Sequence, residues 1–256
     1  MVLPVFHGIF ASSAVGFVYA EAAYFAGGTS PTVATIEKFA FSDDSRSTLA
    51  TGLSSARNDL AGAANSGVAA YFAGGTYPDV TTVDKFAFDA DSRSTLGTGL
   101  SSTRSGLGGA ANSGTAAYFA GGWTGAARVS TVDKFAFSDD GRSTLGTGLS
   151  SATRGVAGAA NSGTAAYFAG GTASGTTVDK FTFSSDSRST LGTGLSSSRA
   201  NLAGAAESGT AAYFAGGGYA ATIDKFAFSD DSRTTLSPGL PAALNYLAGA
   251  ANSGVL

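Results

Sequence analysis

Cysteine is absent from the 256 residues, and histidine, methionine and tryptophan occur once each. Without cysteine the chain has no disulfide, no thiolate zinc site and no cysteine nucleophile. His7 is the one imidazole, and in its uncharged surroundings it reads as an ordinary surface or core residue rather than a catalytic base. Charge is scarce as well: Asp, Glu, Lys and Arg make up 13% of residues, with a net charge of −3. That is about half the usual charged share, and it leaves no basic surface to draw the chain to nucleic acid. Long apolar runs are also lacking. Residues 2–20 carry no formal charge apart from any on His7, but Pro4, Gly8 and Gly16 interrupt them, so no membrane span is expected. The same stretch resembles a secretory signal only loosely. Val18 and Ala20 stand where cleavage would fall, yet the basic start is missing, since the first Lys or Arg is Lys38. Residues 1–18 are expected to form an N-terminal arm or extra strand, and Val5, Phe6, Ile9 and Phe10 suit such an arm to anchoring on a partner chain.

Glycine, with 37 residues, is plentiful, and the chain is repetitive. Tyr-Phe-Ala-Gly-Gly begins at Tyr24, Tyr71, Tyr118, Tyr167 and Tyr213, at spacings of 47, 47, 49 and 46 residues. A period in this range, built from short strand-like runs and glycine turns, is the mark of a propeller or a stacked array. In the second unit, residues 69–73 are a short apolar run closed by Gly74-Gly75. Residues 82–88 then alternate, with Val83, Lys85 and Ala87 on one face and Asp84, Phe86 and Phe88 on the other. Asp89-Ala90-Asp91-Ser92 is turn chemistry. Residues 94–100 are a third run and 107–111 a fourth, which Asn112-Ser113-Gly114 turns into the next Tyr-Phe-Ala. Each unit is thus a four-stranded antiparallel meander, and the units begin near residues 22, 69, 116, 165 and 211. The fourth run is nearly all Ala and Gly, whereas the second carries a pair of Phe. Small side chains beside an axis and large ones in a gap that widens outward are what a ring of radial sheets requires. The fold expected is therefore all-β: a five-bladed propeller over residues 19–256, closed by the C-terminal run 247–253 pairing beside residues 22–26 in blade one.

The loop after Gly-Gly is where the units differ in length: 7, 7, 9, 6 and 5 residues at 29–35, 76–82, 123–131, 172–177 and 218–222. For each of the first four units, the spacing less its loop is 40 residues. These loops hold Tyr77, Trp123, Arg128 and Tyr219, the candidate residues for binding a partner, and they would emerge together on one face.

At this point the chain resembles the kelch-repeat family. The Gly-Gly doublets match that family's apolar strand, and Glu37, Asp84, Asp133, Asp179 and Asp224 with the Phe that follows match its second strand. Arg57, Arg104, Arg154 and Arg199 match the arginine that opens the next unit, although Arg154 lies one place late and Leu244 replaces the fifth. The family's Trp is missing, Thr95-Leu96 and its equivalents standing in its place. The resemblance implies four-stranded propeller blades. Copper radical oxidases within it would require a Cys-linked Tyr and two His, which one His and no Cys exclude. A narrower likeness is to kelch-like virion and tail proteins of tailed phages, notably those infecting cyanobacteria. It implies a non-enzymatic structural or interaction module located in a virion, contacting another virion protein or a host-surface glycan. The alternative is a secreted multivalent lectin with Trp123, Tyr77 and Tyr219 as stacking platforms. No cofactor and no metal are expected. The Asp43-Asp44, Asp139-Asp140 and Asp230-Asp231 pairs read as turn stabilisers rather than calcium ligands, and Lys85 and its equivalents are expected to pair with the strand acid of the neighbouring blade.

Overall fold

A computed structural model describes residues 22–28, 31–173 and 175–249, so the expected arm 1–18 lies outside the described residues. Nineteen strands and no helix occur among them. The strands form five antiparallel sheets arranged as the blades of a five-bladed β-propeller. The first sheet comprises β1 (Ala22–Ala26), β2 (Ile36–Ala40) and β3 (Arg46–Thr48). The second runs β4 (Ala61–Asn65), β5 (Ala69–Ala73), β6 (Val83–Ala87) and β7 (Ser92–Thr95), and three more sheets of four strands follow in the same order. They are β8 (Gly108–Asn112) to β11 (Arg142–Thr144), β12 (Ala157–Asn161) to β15 (Ser187–Thr190) and β16 (Ala203–Glu207) to β19 (Arg233–Thr235). No helix of the described residues is long and apolar enough to cross a membrane. The outer strand differs from its expected place at 94–100. Pairing stops at Thr95, because residues 96–106 leave the sheet and run back across the blade toward the axis, with Leu96 N–H donating to the Val83 carbonyl and Leu100 N–H to that of Thr81.

The innermost strands β4, β8, β12 and β16 stand side by side around the axis. A Cβ placed on Gly109 would lie 2.1 Å from the Gly62 carbonyl oxygen, one on Gly158 2.0 Å from that of Gly109, and one on Gly204 2.1 Å from that of Gly158. Glycine is required here by approach, not by dihedral freedom. Gly249 repeats the contact, 2.1 Å from the Gly204 oxygen, so the C-terminal run takes the next place in the row. Residues 250–256, and with them most of the expected pairing beside β1, lie outside the described residues.

Further from the axis the gap between blades fills with aromatic and branched side chains. The alternation of β6 holds: Tyr71 and Val83 pack with Leu100, Phe119 and Phe135 toward the third blade, while Phe72 and Phe86 pack with Ile36 and Leu53 toward the first. Two further clusters repeat this set between blades three and four and between four and five. The first Phe of each pair is fully buried at Phe86, Phe135, Phe181 and Phe226. The second stacks on the tyrosine of the preceding blade, with Tyr24–Phe88, Tyr71–Phe137, Tyr118–Phe183 and Tyr167–Phe228 centroids 4.8–5.2 Å apart. Each fully buried Phe contributes roughly 1.5–3 kcal/mol. The face of the first blade that looks toward the fifth is different. There Phe25, Phe39 and Phe41 remain 36–39% exposed.

Polar links follow the same blade-to-blade rule. Lys85 Nζ lies 2.8 Å from Asp140 Oδ2 of the next blade, and the Tyr71 hydroxyl donates to Asp140 Oδ1 at 2.7 Å. Lys38–Asp91, Lys134–Asp186 and Lys180–Asp231 repeat the pair at 2.8 Å. The expected inter-blade pairing of lysine is therefore present, but its partner is the turn aspartate rather than the strand acid. In the Asp-Asp turns the two carboxylates divide the work. Asp43, Asp139 and Asp230 accept from the backbone N–H two residues on, at 2.9–3.0 Å. The second position, in the left-handed region at φ 45–57° in all five turns, carries the inter-blade carboxylate where a lysine faces it. These pairs are half-exposed and contribute modestly, on the order of 0.2–1 kcal/mol each.

The strand acid is occupied elsewhere. Asp84 and Arg57 are both fully buried, 2.9 Å apart. Asp84 also accepts from Ser54 N–H and Oγ and from the Thr95 hydroxyl. Arg104–Asp133 and Arg199–Asp224 repeat the arrangement. Where Thr153 replaces the arginine, Asp179 keeps its bonds from Ser150 and Thr190 and lies 3.4 Å from Arg188. Where Leu244 replaces it, the corresponding acid is Glu37, which is 28% exposed and pairs with Arg46. Burial pushes the Asp84, Asp133 and Asp224 carboxyls up, but the serine and threonine donors and the guanidinium outweigh it and hold all three below the ordinary range.

Two outcomes are expected. Gly158→Ala destabilises by about 1–3 kcal/mol, because its methyl meets backbone that cannot move aside. Gly62→Ala, whose Cβ would find only the Phe72 ring at 3.6 Å, stays within about 0.5 kcal/mol of the parent. Chemical denaturation of the two variants checks this. For the aspartates the unfolded chain binds more protons than the native one between the depressed folded pKa and the unfolded value of about 3.9. Their stabilisation is present above that value and is lost as pH falls through the folded pKa, which thermal unfolding from pH 6 down to 2 would follow.

Candidate functional site

The loops after Gly-Gly and the returns that carry the arginines lie at one end of the propeller, and the Asn-Ser-Gly and Asp-Asp turns lie at the other. The turn end is tied to itself. Ser66, Ser113 and Ser162 N–H donate to the Ser113, Ser162 and Ser208 hydroxyls, while Gly114, Gly163 and Gly209 N–H donate to the Asn65, Asn112 and Asn161 amide oxygens. Its polar groups are thus spent on repetition.

At the loop end the returns converge on the axis through one position per unit: Asp59, Gly106, Gly155, Asn201 and Tyr246. All five have φ between 54 and 69°. Their backbones form a staircase, with Gly106 N–H donating to the Asp59 carbonyl at 2.8 Å, Gly155 to Gly106 at 2.7 Å, Asn201 to Gly155 at 2.8 Å and Tyr246 to Asn201 at 3.0 Å. Glycine adopts this conformation at no steric cost, whereas a tyrosine there is an outlier that points to a role for its side chain. The position before four of the five steps bonds the first residue of a variable loop. Asn58 pairs with Thr76 and Ser105 with Trp123, and Thr172 and Gly218 N–H donate to the Arg154 and Ala200 carbonyls. The loops and the axial steps therefore form one surface.

A cavity of about 520 Å³ opens at this mouth, lined by Asn58, Asp59, Tyr77, Asn201 and Tyr246 together with the glycines and leucines of the axial segment. Tyr77 and Tyr246 are 73% and 70% exposed. The Asp59 carboxylate stands at the rim, and among the described residues no side chain or backbone group donates to it. Burial raises its pKa, and the nearby Arg154 pulls it back in part. Arg154 in turn lies over the Trp123 ring, 5.5 Å from the centroid. Of the sequence-predicted residues, Tyr77 lines the cavity, and Trp123 lies under Arg154 outside its lining. Arg128 is exposed and bridged to Trp123 within the longest loop, and Tyr219 is 76% exposed; neither lines the cavity. Asp59, Asn201 and Tyr246 were not singled out from the sequence. Their signal was available: two places after each arginine position, Asp, Gly, Gly, Asn and Tyr stand in a column flanked by conserved repeat residues. Among the described residues no group of three acidic or histidine side chains is placed to hold a metal ion.

No family model matches the chain, and no curated protein does. Among solved structures it is similar to YjhT, with 15% identity, a TM-score of 0.72 and coverage of 90% of this chain and 84% of that one. At this identity the likeness is one of fold, and it agrees with the propeller. The chain is a β-propeller.

Because glycine already occupies two of the five axial steps, Asp59→Gly is expected to leave stability unchanged or raised by up to about 1 kcal/mol as the left-handed strain is relieved. The midpoint of urea unfolding measures it.

Proposed function

We propose that the chain is a non-enzymatic interaction module of the kelch type, a structural component of a phage virion that contacts a host surface or another virion protein through its loop end. One observation carries this reading: the differences in loop length and most of the aromatic and polar residues that set one unit apart from the others gather at that end. The loop lengths, Tyr77, Trp123, Arg128, Tyr219 and the axial column Asp59, Asn201 and Tyr246 all fall there. The turn end keeps nearly the same residues in unit after unit. A scaffold that needed only to be a wheel would gain nothing from placing tyrosine in a left-handed conformation at the mouth.

Against catalysis stands the composition of the mouth, which among the described residues supplies one carboxylate with no base, acid or nucleophile hydrogen-bonded to it. Against the multivalent lectin stands its asymmetry. Tyr77, Trp123 and Tyr219 do not repeat one site five times, because Tyr77 lines the cavity, Trp123 is covered by Arg154 and Tyr219 lies away from it. Immunodetection in purified particles of the phage that carries this chain should find it in the virion. Its recovery only from the lysate would remove the virion role. In binding to intact host cells or to the isolated tail, the triple change Tyr77→Ala, Trp123→Ala, Tyr219→Ala should abolish capture, whereas Ser113→Ala at the turn end should leave it intact.

A further inference from the structure

The axial mouth has a composition that selects a ligand. Among the described residues its polar side-chain groups are the Asp59 carboxylate, the Asn201 amide and the hydroxyls of Tyr77 and Tyr246, with the buried Asn58 amide donating to Thr32 Oγ1, and its flat surfaces are the two tyrosine rings. Gly106 and Gly155 leave the other side of the axis without side chains, which gives the cavity its depth. A free carboxylate accepts from O–H and N–H donors and offers none of its own when ionised. It also repels anions, and the cation that acts on it among the described residues, Arg154, is stacked on Trp123. A metal ion would find a single acidic ligand where a hard cation wants six or more oxygens. An organic ammonium, which a carboxylate beside aromatic rings would otherwise attract, meets the positive charge of Arg154 near Asp59, so the best fit is an uncharged molecule with vicinal hydroxyls to give to Asp59, oxygens to take from the Asn201 amide, and a flat C–H face to lie on a tyrosine ring.

We propose that the mouth is a single binding site for a neutral saccharide of one or two rings, held by Asp59 and Asn201 and stacked on Tyr77 and Tyr246. The volume of about 520 Å³ accommodates a ligand of that size. The site is one per chain and axial, which distinguishes it from five peripheral sites of a multivalent lectin. The inference deepens the reading that the loop end is the recognition surface, and rests on it only for the choice of face.

Titration calorimetry and saturation-transfer NMR on the full chain, with glucose, galactose, mannose, N-acetylglucosamine and their β-linked disaccharides as probes and glucuronate as the charged control, test it. At least one neutral sugar should bind and glucuronate should bind more weakly. Asp59→Gly should weaken the neutral sugar by about tenfold or more; it is a change the fold already tolerates at two equivalent steps, so lost binding is not lost folding. Tyr77→Ala should weaken it likewise, and Tyr219→Ala should not. Binding should also fade on acidification, because protonating Asp59, whose pKa is raised by desolvation and pulled back in part by Arg154, removes the acceptor. Absence of any neutral-sugar response, equal binding by the Asp59→Gly variant, or preference for glucuronate overturns the proposal. If host cells or tail proteins are still captured through the loop end while no sugar binds, this inference fails and the reading of the face stands.

Discussion

The propeller depends on backbone meeting backbone at the axis. The successive contacts of Gly109, Gly158, Gly204 and Gly249 on the preceding carbonyl set how closely the inner strands approach. That distance fixes the angle between blades, and the angle fixes the width of the outer gap. The outer gap is then filled by what the sequence supplies there, Phe and Tyr in stacked pairs and leucines from the returning segment. A larger residue at the axis would spread the blades and leave those aromatic layers apart, losing dispersion contacts that are individually small and collectively large.

Polar groups between blades provide alignment. The buried Arg57–Asp84 pair and its two copies tie each returning segment to the blade it enters, at a desolvation cost that makes them weak stabilisers against an apolar alternative. Removing one partner alone would strand the other, and the natural exceptions respect this. At Thr153 the acid keeps neutral donors, and at Leu244 the facing acid is half-exposed and paired within its own blade. The lysine–aspartate pairs at the rim are aided by the tyrosine ring beneath each ammonium, 5.3–5.5 Å away in the four that pair.

Much of this was legible in the residues. Strand positions, the two faces of the alternating strand, the small-to-large gradient and the blade count all follow from periodicity and side-chain size, because these are set locally and repeated five times. The reading failed where a choice of partner is made in three dimensions. For Lys85 the sequence offers both the strand acid and the turn aspartate of the next blade, and the turn that follows Phe137, the ring packed on Tyr71, is the one that brings Asp140 to it. The mouth was half-seen for a similar reason. Loop length drew attention to Tyr77, whereas Asp59 and Tyr246 lie inside the constant part of the unit and become neighbours only when the ring is formed.

Every link between blades described here joins a unit to its immediate neighbour and to no other. The repeat therefore behaves as a chain of similar joints, and a change in the length of a variable loop leaves every joint matched. A one-residue insertion inside the constant part has no such licence, since it would shift two joints at once. The middles of the variable loops, whose length changes while the constant part of the unit keeps its 40 residues, are where such a protein is free to acquire new specificities.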